Sequence, residues 1–488
     1  MSSNEQFAWS IFAPLAGAAL AAILLIAHNW KAIPRGFALW LRLIGLLASL
    51  AGLAVEVALV AVLSGSATFD PPGISLGITT PARFVLIAAN VALFCAVLYA
   101  WTAEDDPQNP GPEWTLILAP VTSSLLAGAA LSTDRIIAVL FLAGAALSVS
   151  AMALARPRTP LPFNRDLDED NIAAQTMLAR RVAGGLKHIG LSILGTGLLA
   201  VGSVLVARYA FNLENRGLLQ LGLALLAVGL IVRAGGMPFA AAAADTIQAS
   251  PPTALAMLGA STPVALVVGL LLFTPVEGSL AQGASAGWLG AIGTFLAGLR
   301  SLGSLLESRQ HTTNGVDNSR GHGLTTPEAN LLAMTVAAAT GWAIFGVLSG
   351  SRMGAVGAIL IALNIALSLP IALGHRRWRP AGIASLLGLP PLGGFAGMIL
   401  VAQSAANEGG LWLAILLLGS AMVAAGWLAL TAGSASTDDL RGWRGRLLSP
   451  LYFVPILLIV LQIAIFLWAS QLTTQLNLWA LVPWLTAP

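Results

Sequence analysis

The chain has 488 residues, of which 57% are apolar and only 9% charged, with a mean hydropathy of +0.84, far from the roughly 25% charge of a soluble domain. That composition excludes an ordinary soluble enzyme and marks a membrane protein. The net charge of +3 does not point to nucleic acid, since Lys and Arg are spread over short loops, and the single cysteine, Cys95, leaves no disulfide framework and no CxxC to hold zinc or an iron–sulfur cluster.

Apolar runs of about 20 residues cross a ~30 Å hydrocarbon core as helices. Fourteen are expected, at 8–27, 36–64, 81–101, 114–132, 134–155, 182–208, 217–250, 253–274, 285–306, 327–349, 354–374, 380–403, 411–433 and 450–470. About 180 residues are left for loops and tails, too few for a folded extramembrane domain. The first run follows Glu5 and no basic residue, unlike a secretory signal, and is expected to be retained as the first span. Loops after odd-numbered spans hold fifteen Lys and Arg residues, among them Lys31, Arg156, Arg180 and Arg181; loops after even-numbered spans hold four. By the positive-inside rule both termini lie on the outer side of a prokaryotic cytoplasmic membrane. The polar links 156–181 and 307–326 read as solvated connectors. Thr326-Pro327-Glu328 reads as an N-cap followed by Pro and a first-turn acid.

Two spans are abnormal. Span seven, at 34 residues, would be ~51 Å long and must break; Gly235, Gly236 and Pro238 supply the break. Span twelve carries the same chemistry in Pro390, Pro391, Gly393 and Gly394. A helix end or a packing kink would account for either alone. Five spans separate the two, however, so the interrupted helices run in opposite directions, as in the inverted repeats of transporters. The expected architecture is therefore an all-α polytopic membrane protein of about 14 helices. It comprises spans 1–3 (residues 1–113), two inverted five-helix repeats (114–274 and 275–433), and a final span with an interfacial tail (434–488).

Arg233-Ala234-Gly235-Gly236-Met237-Pro238-Phe239, followed by Asp245, Gln248, Pro251 and Pro252, resembles the Lys-x-x-x-x-Pro-Phe-His-x-Trp-x-Pro-Asp signature of the antiporter-like subunits of respiratory complex I, shared with Mrp-type cation/proton antiporters and group 4 hydrogenases. The Gly-x-Pro-Pro-x-x-Gly-Phe pattern at 388–395 is similar to the family's second break, and Asp134 to the acid that often opens its fifth helix. The resemblance implies a row of buried ionisable carriers: a Glu in span five and Lys residues in spans six, seven, eight and twelve. Carried over residue by residue, the Glu falls on Ala143, the span-eight Lys on Pro263 and the span-twelve Lys on Met398, so three carriers are lost. The span-six Lys matches Lys187 and the span-seven Lys matches Arg233. A buried Lys can release its proton, whereas Arg holds charge without relaying it.

Asp245 is a candidate partner for Arg233, or a simple helix-terminal acid. Lys187 fits either snorkelling to the headgroups or carriage, and its neighbour His188 either a core histidine or a titrating group. Arg42 and Arg300 are expected to snorkel; Glu56, ~21 Å along the helix from Arg42, needs a partner elsewhere. Tryptophans 30, 40, 101, 114, 479 and 484 read as interfacial anchors. The resemblance implies a subunit of a redox-driven proton-translocating complex, of NADH:quinone oxidoreductase or hydrogenase type, with an impaired or rerouted ion path and a structural and coupling role. The alternative is an active proton or sodium translocator using Lys187, His188, Arg233, Asp245 and Glu56. No catalytic residue, metal site or cofactor is expected in this chain. Partners would be other membrane subunits and lipid, with quinone only through neighbouring subunits. The chain ends about 18 residues after span fourteen, which resembles an inner rather than a distal member of the family.

Overall fold

A computed structural model describes residues 3–28, 35–69, 74–102, 112–155, 169–209, 215–273, 286–312, 325–374, 377–432 and 450–474. Eleven helices among these are long and apolar enough to cross a membrane. The first three are α1 (Ser3–His28), α2 (Arg35–Val62) and α3 (Thr80–Thr102). They are followed by α4 (Pro112–Leu131), α5 (Arg135–Leu154) and α6 (Glu169–Tyr209). The first broken span is α7 (Arg216–Ala234) with α8 (Ala241–Ala249), and the eighth span is α9 (Pro251–Ala254), a π-helical stretch (Leu255–Ser261) and α10 (Thr262–Phe273). Next come α11 (Trp288–Thr312), α12 (Thr326–Leu348) and α13 (Arg352–Leu373). The second broken span is α14 (Arg379–Leu386) with α15 (Gly393–Glu408), before α16 (Gly410–Ala432) and α17 (Pro450–Leu467).

Several sequence expectations need correction. The connector 156–181 is helical from Glu169, because α6 extends 41 residues and carries Arg180 and Arg181 inside it. Likewise α11 continues past Glu307 to Thr312. A two-stranded hairpin, β1 (Ser66–Phe69) and β2 (Ile74–Gly77), follows α2 with Ser66 opposite Gly77 and Phe69 opposite Ile74. The cap of α12 is Thr325 rather than Thr326. Thr325 and Glu328 form a reciprocal capping box, the Thr325 N–H donating to Glu328 Oε2 at 2.9 Å. Arg42 is buried within the protein, with its guanidinium 5.1 Å from the Trp101 ring centroid. Arg300 is exposed. Trp40 and Trp114 are exposed and Trp101 half-buried; Trp30, Trp479 and Trp484 lie outside the described residues.

The core lies where α12 and α13, buried over all but their first turns, meet the almost wholly buried span from Pro251 to Phe273. Helices α1 and α16 sit at the periphery and present large apolar side chains outward, such as Ile26, Leu411 and Leu428, as lipid or a neighbouring apolar subunit requires. Small residues permit close helix contact: a Cβ added at Gly290 in α11 would lie 2.4 Å from the Gly341 carbonyl of α12. One packing pattern recurs. In the first half α6 packs against both pieces of the broken span, α7 and α8; in the second half α13 packs against both α14 and α15.

Candidate functional site

Both breaks start alike. α7 ends at Gly235 with φ 73°, and the Gly236 N–H returns to the Ile231 carbonyl five residues back at 2.9 Å. α14 is followed by Gly388 with φ 70°, and the Leu389 N–H returns to the Ala384 carbonyl at 2.9 Å. This is the Schellman geometry, in which a left-handed glycine satisfies the last carbonyls of a helix. Pro238 lies in the first gap and Pro390 and Pro391 in the second, where the Met237–Pro238 and Pro390–Pro391 bonds are cis. Gly393 and Gly394 open α15.

Arg233, in the last turn of α7, is buried. Its Nη2 donates to the Leu142 carbonyl of α5 at 3.1 Å and to Ser261 Oγ, at the end of the π stretch, at 2.8 Å. The guanidinium thus meets α5 at the residue before Ala143, the position where the resemblance places the acid. Asp245 does not partner Arg233. It pairs with Lys187 of α6, Nζ to Oδ2 2.6 Å, and both side chains keep solvent- or neighbour-facing surface, 49% for Lys187 and 25% for Asp245. The pair forms because α8 lies along α6 one turn below the break, which sequence distance alone does not reveal.

His188 and Arg233 line one cavity of about 20 Å³ with Ser192, Phe239, Met257 and Thr262, room for a single water-sized particle. His188 Nε2 and Arg233 Nε are buried and have no hydrogen-bond partner among the described residues. Lys187, His188, Arg233 and Asp245 therefore gather around the α6–α7–α8 junction. Glu56 stands apart: on α2, it contacts Asn90 of α3 and Ser123 of α4.

Pro263 is buried in α10, at the end of the first half. The second half differs, and there Met398 lies half-buried on α15 against the Gly388 turn. The buried polar groups between α13, α14 and α17 are neutral. Asn364 Nδ2 donates to the Ser385 carbonyl at 2.9 Å, while the Ser385 and Ser368 hydroxyls donate to Asn364 Oδ1 at 2.6 and 2.9 Å. Gln462 Nε2 donates to Ser368 Oγ at 2.8 Å. This amide–hydroxyl network, which sequence reading missed, left a signal in the lone Asn364 inside an apolar helix. Among the described residues of 286–432 the one buried charged side chain is Arg379, held by Glu328 at 3.1 Å in the first turn of α12.

Nearly the whole chain superposes on chains of solved membrane complexes. A chain of the Mrp complex from Dietzia sp. DQ12-45-1b matches with a TM-score of 0.68 at 14% identity, covering 98% of this chain and 97% of that one. A chain of an archaeal membrane-bound sulfane sulfur reductase matches with a TM-score of 0.68 at 18% identity, covering 97% of each. A chain of respiratory complex I from Thermus thermophilus matches with a TM-score of 0.63 at 19% identity, covering 94% of this chain and 98% of that one. The chain shares the fold of these three chains. At these identities the likeness is one of fold. No family model matches the sequence, and neither does any curated protein.

Proposed function

We propose that this chain is an antiporter-like membrane subunit of a redox-driven proton-translocating complex, NADH:quinone oxidoreductase-like or group 4 hydrogenase-like, and that its own role is structural and coupling rather than ion-carrying. It sits in a prokaryotic cytoplasmic membrane with both termini on the outer side, against other membrane subunits and lipid, and meets quinone only through its neighbours. The observation that carries this reading is the neutral interior of the second half. Between α13, α14 and α17 the buried polar groups are Asn364, Ser368, Ser385 and Gln462, none of which takes up or releases a proton near neutral pH. In the first half the buried cation beside the break is Arg233, which stays protonated, and it is held by a carbonyl and a hydroxyl rather than by an acid. Charge shifts can be felt through such a chain, but no relay of protons crosses it.

The experiment is redox-linked proton pumping by the whole complex, reconstituted in vesicles, with Lys187→Met in this subunit. Pumping only mildly reduced is the expected result; pumping that collapses in a complex still fully assembled refutes it. That second outcome would support an active proton or sodium translocator running through the α6–α7–α8 junction, the reading favoured by the Lys187–Asp245 pair beside His188 and Arg233.

A further inference from the structure

A second polar cluster lies among α2, α3 and α4, outside the junction just described. Glu56, Asn90 and Ser123 are each at most 2% exposed. Asn90 is ten residues, ~15 Å, into α3, well inside the apolar span Thr80–Trp101. The amide of Asn90 has one possible orientation. Its Nδ2 donates to Glu56 Oε1 at 3.1 Å and to the Leu86 carbonyl at 3.0 Å, which uses both N–H groups; turned over, its oxygen would face the Leu86 oxygen. Oδ1 of Asn90 can therefore only accept.

Ser123 Oγ then makes hydrogen-bond contact with two further oxygens, Glu56 Oε2 and Asn90 Oδ1. A serine hydroxyl has one proton to give. With an ionised Glu56, one of these two contacts would set lone pair against lone pair among side chains buried from solvent. A proton on Glu56 Oε2 removes the conflict: Oε2–H donates to Ser123 Oγ, Ser123 Oγ–H donates to Asn90 Oδ1, and every oxygen is matched. We infer that Glu56, Asn90 and Ser123 form a one-proton binding site, occupied in this structure, with the proton on the Glu56 carboxyl.

No cation stands in for that proton among the described side chains. Among the described side chains of α1 to α4 the other charged groups are Glu5, Arg42 and Arg83; Arg83 is bound to the Leu63 carbonyl and Arg42 lies over Trp101. Behind α3 and α4, α5 and α13 carry their charges at their first residues, Arg135 and Arg352. Loss of the proton would oblige the Ser123 hydroxyl to turn to Glu56 and abandon Asn90, so occupancy of the site is tied to the α3–α4 contact.

Infrared spectroscopy of the purified full chain in lipid at neutral pH tests this. A protonated-carboxyl C=O band is expected, slow to shift in D2O and lost in Glu56→Gln. That variant should melt at the wild-type temperature, because the Gln amide N–H2 replaces the carboxyl O–H toward Ser123. Ser123→Ala, which removes the acceptor of that proton, should move the band to higher frequency without abolishing it. The inference is overturned if the band survives in Glu56→Gln. It is also overturned if Ser123→Ala leaves the band unmoved, or if Glu56→Gln fails to fold while Ser123→Ala shows only carboxylate absorption.

Discussion

Gly394→Ala tests whether the second break is held by the neutral network. A Cβ at this position would lie 2.2 Å from the Ser385 carbonyl oxygen and 2.6 Å from Asn364 Nδ2, whereas carbon contacts settle at about 3.5–4.0 Å. The nearest obstacle is backbone, so α14 and α15 must separate by more than 1 Å. That movement opens the Asn364 Nδ2 to Ser385 carbonyl bond of 2.9 Å. A buried donor left unmatched costs about 1–3 kcal/mol, and overpacking a tight contact about another 1–3 kcal/mol; the sum is about 2–6 kcal/mol. Gly410→Ala is the control, since nothing lies within 4 Å of its Cβ position and such changes fall within about 0.5 kcal/mol. In fluorescence-monitored thermal unfolding in one detergent, Gly394→Ala should melt several degrees below both wild type and Gly410→Ala. Melting of all three together would refute the idea that this contact holds the break.

Asp134→Ala removes the cap whose Oδ1 accepts from the Ile136 and Ile137 N–H groups at 2.8 and 3.0 Å. It should cost about 1 kcal/mol and speed hydrogen exchange at those two amides, with Asp134→Asn restoring protection. Thr325→Ala breaks the capping box at a similar cost of about 1 kcal/mol. It should also loosen the Glu328–Arg379 pair, which hydrogen exchange across 326–331 would register. Arg233→Lys alone should leave ion flux in reconstituted vesicles unchanged, because α5 offers Ala143 and a Leu142 carbonyl there rather than an acid. A gain of flux would show that the side chain at 233 by itself silences the path.

Much of the fold is legible because lipid imposes a simple rule: apolar runs of helical length become spans. The two interruptions are legible because Gly and Pro act locally, through φ and a missing donor, at Gly235 to Pro238 and Gly388 to Pro391. What the sequence hid was contact between distant segments. Lys187 and Asp245 are 58 residues apart, and Glu56 meets Ser123 across 67; no periodicity records either pairing. Asp245 therefore looked available to Arg233, and Glu56 looked alone. The polar residues before 181 read as loop because charge suggests solvent, yet α6 carries them outward as helix, with Arg181 Nη2 donating to the Met152 carbonyl at 3.2 Å. The hairpin at 66–77 is too short for alternation to stand out.

The π-helical stretch from Leu255 to Ser261 has a consequence for anyone aligning this chain to others. A regular helix turns by about 100° per residue, so separation along the chain serves as a ruler for which side a residue faces. Across this stretch the Thr262 N–H reaches back five residues, to the Met257 carbonyl, and the ruler slips by a step. A count from Asp245 lands on Pro263, but the side chain that lines the cavity with Arg233 belongs to Thr262, which also holds the Ala234 carbonyl at 3.1 Å. Equivalence at this span has to be judged in space, where Thr262, and not the proline beside it, shares a cavity with Arg233.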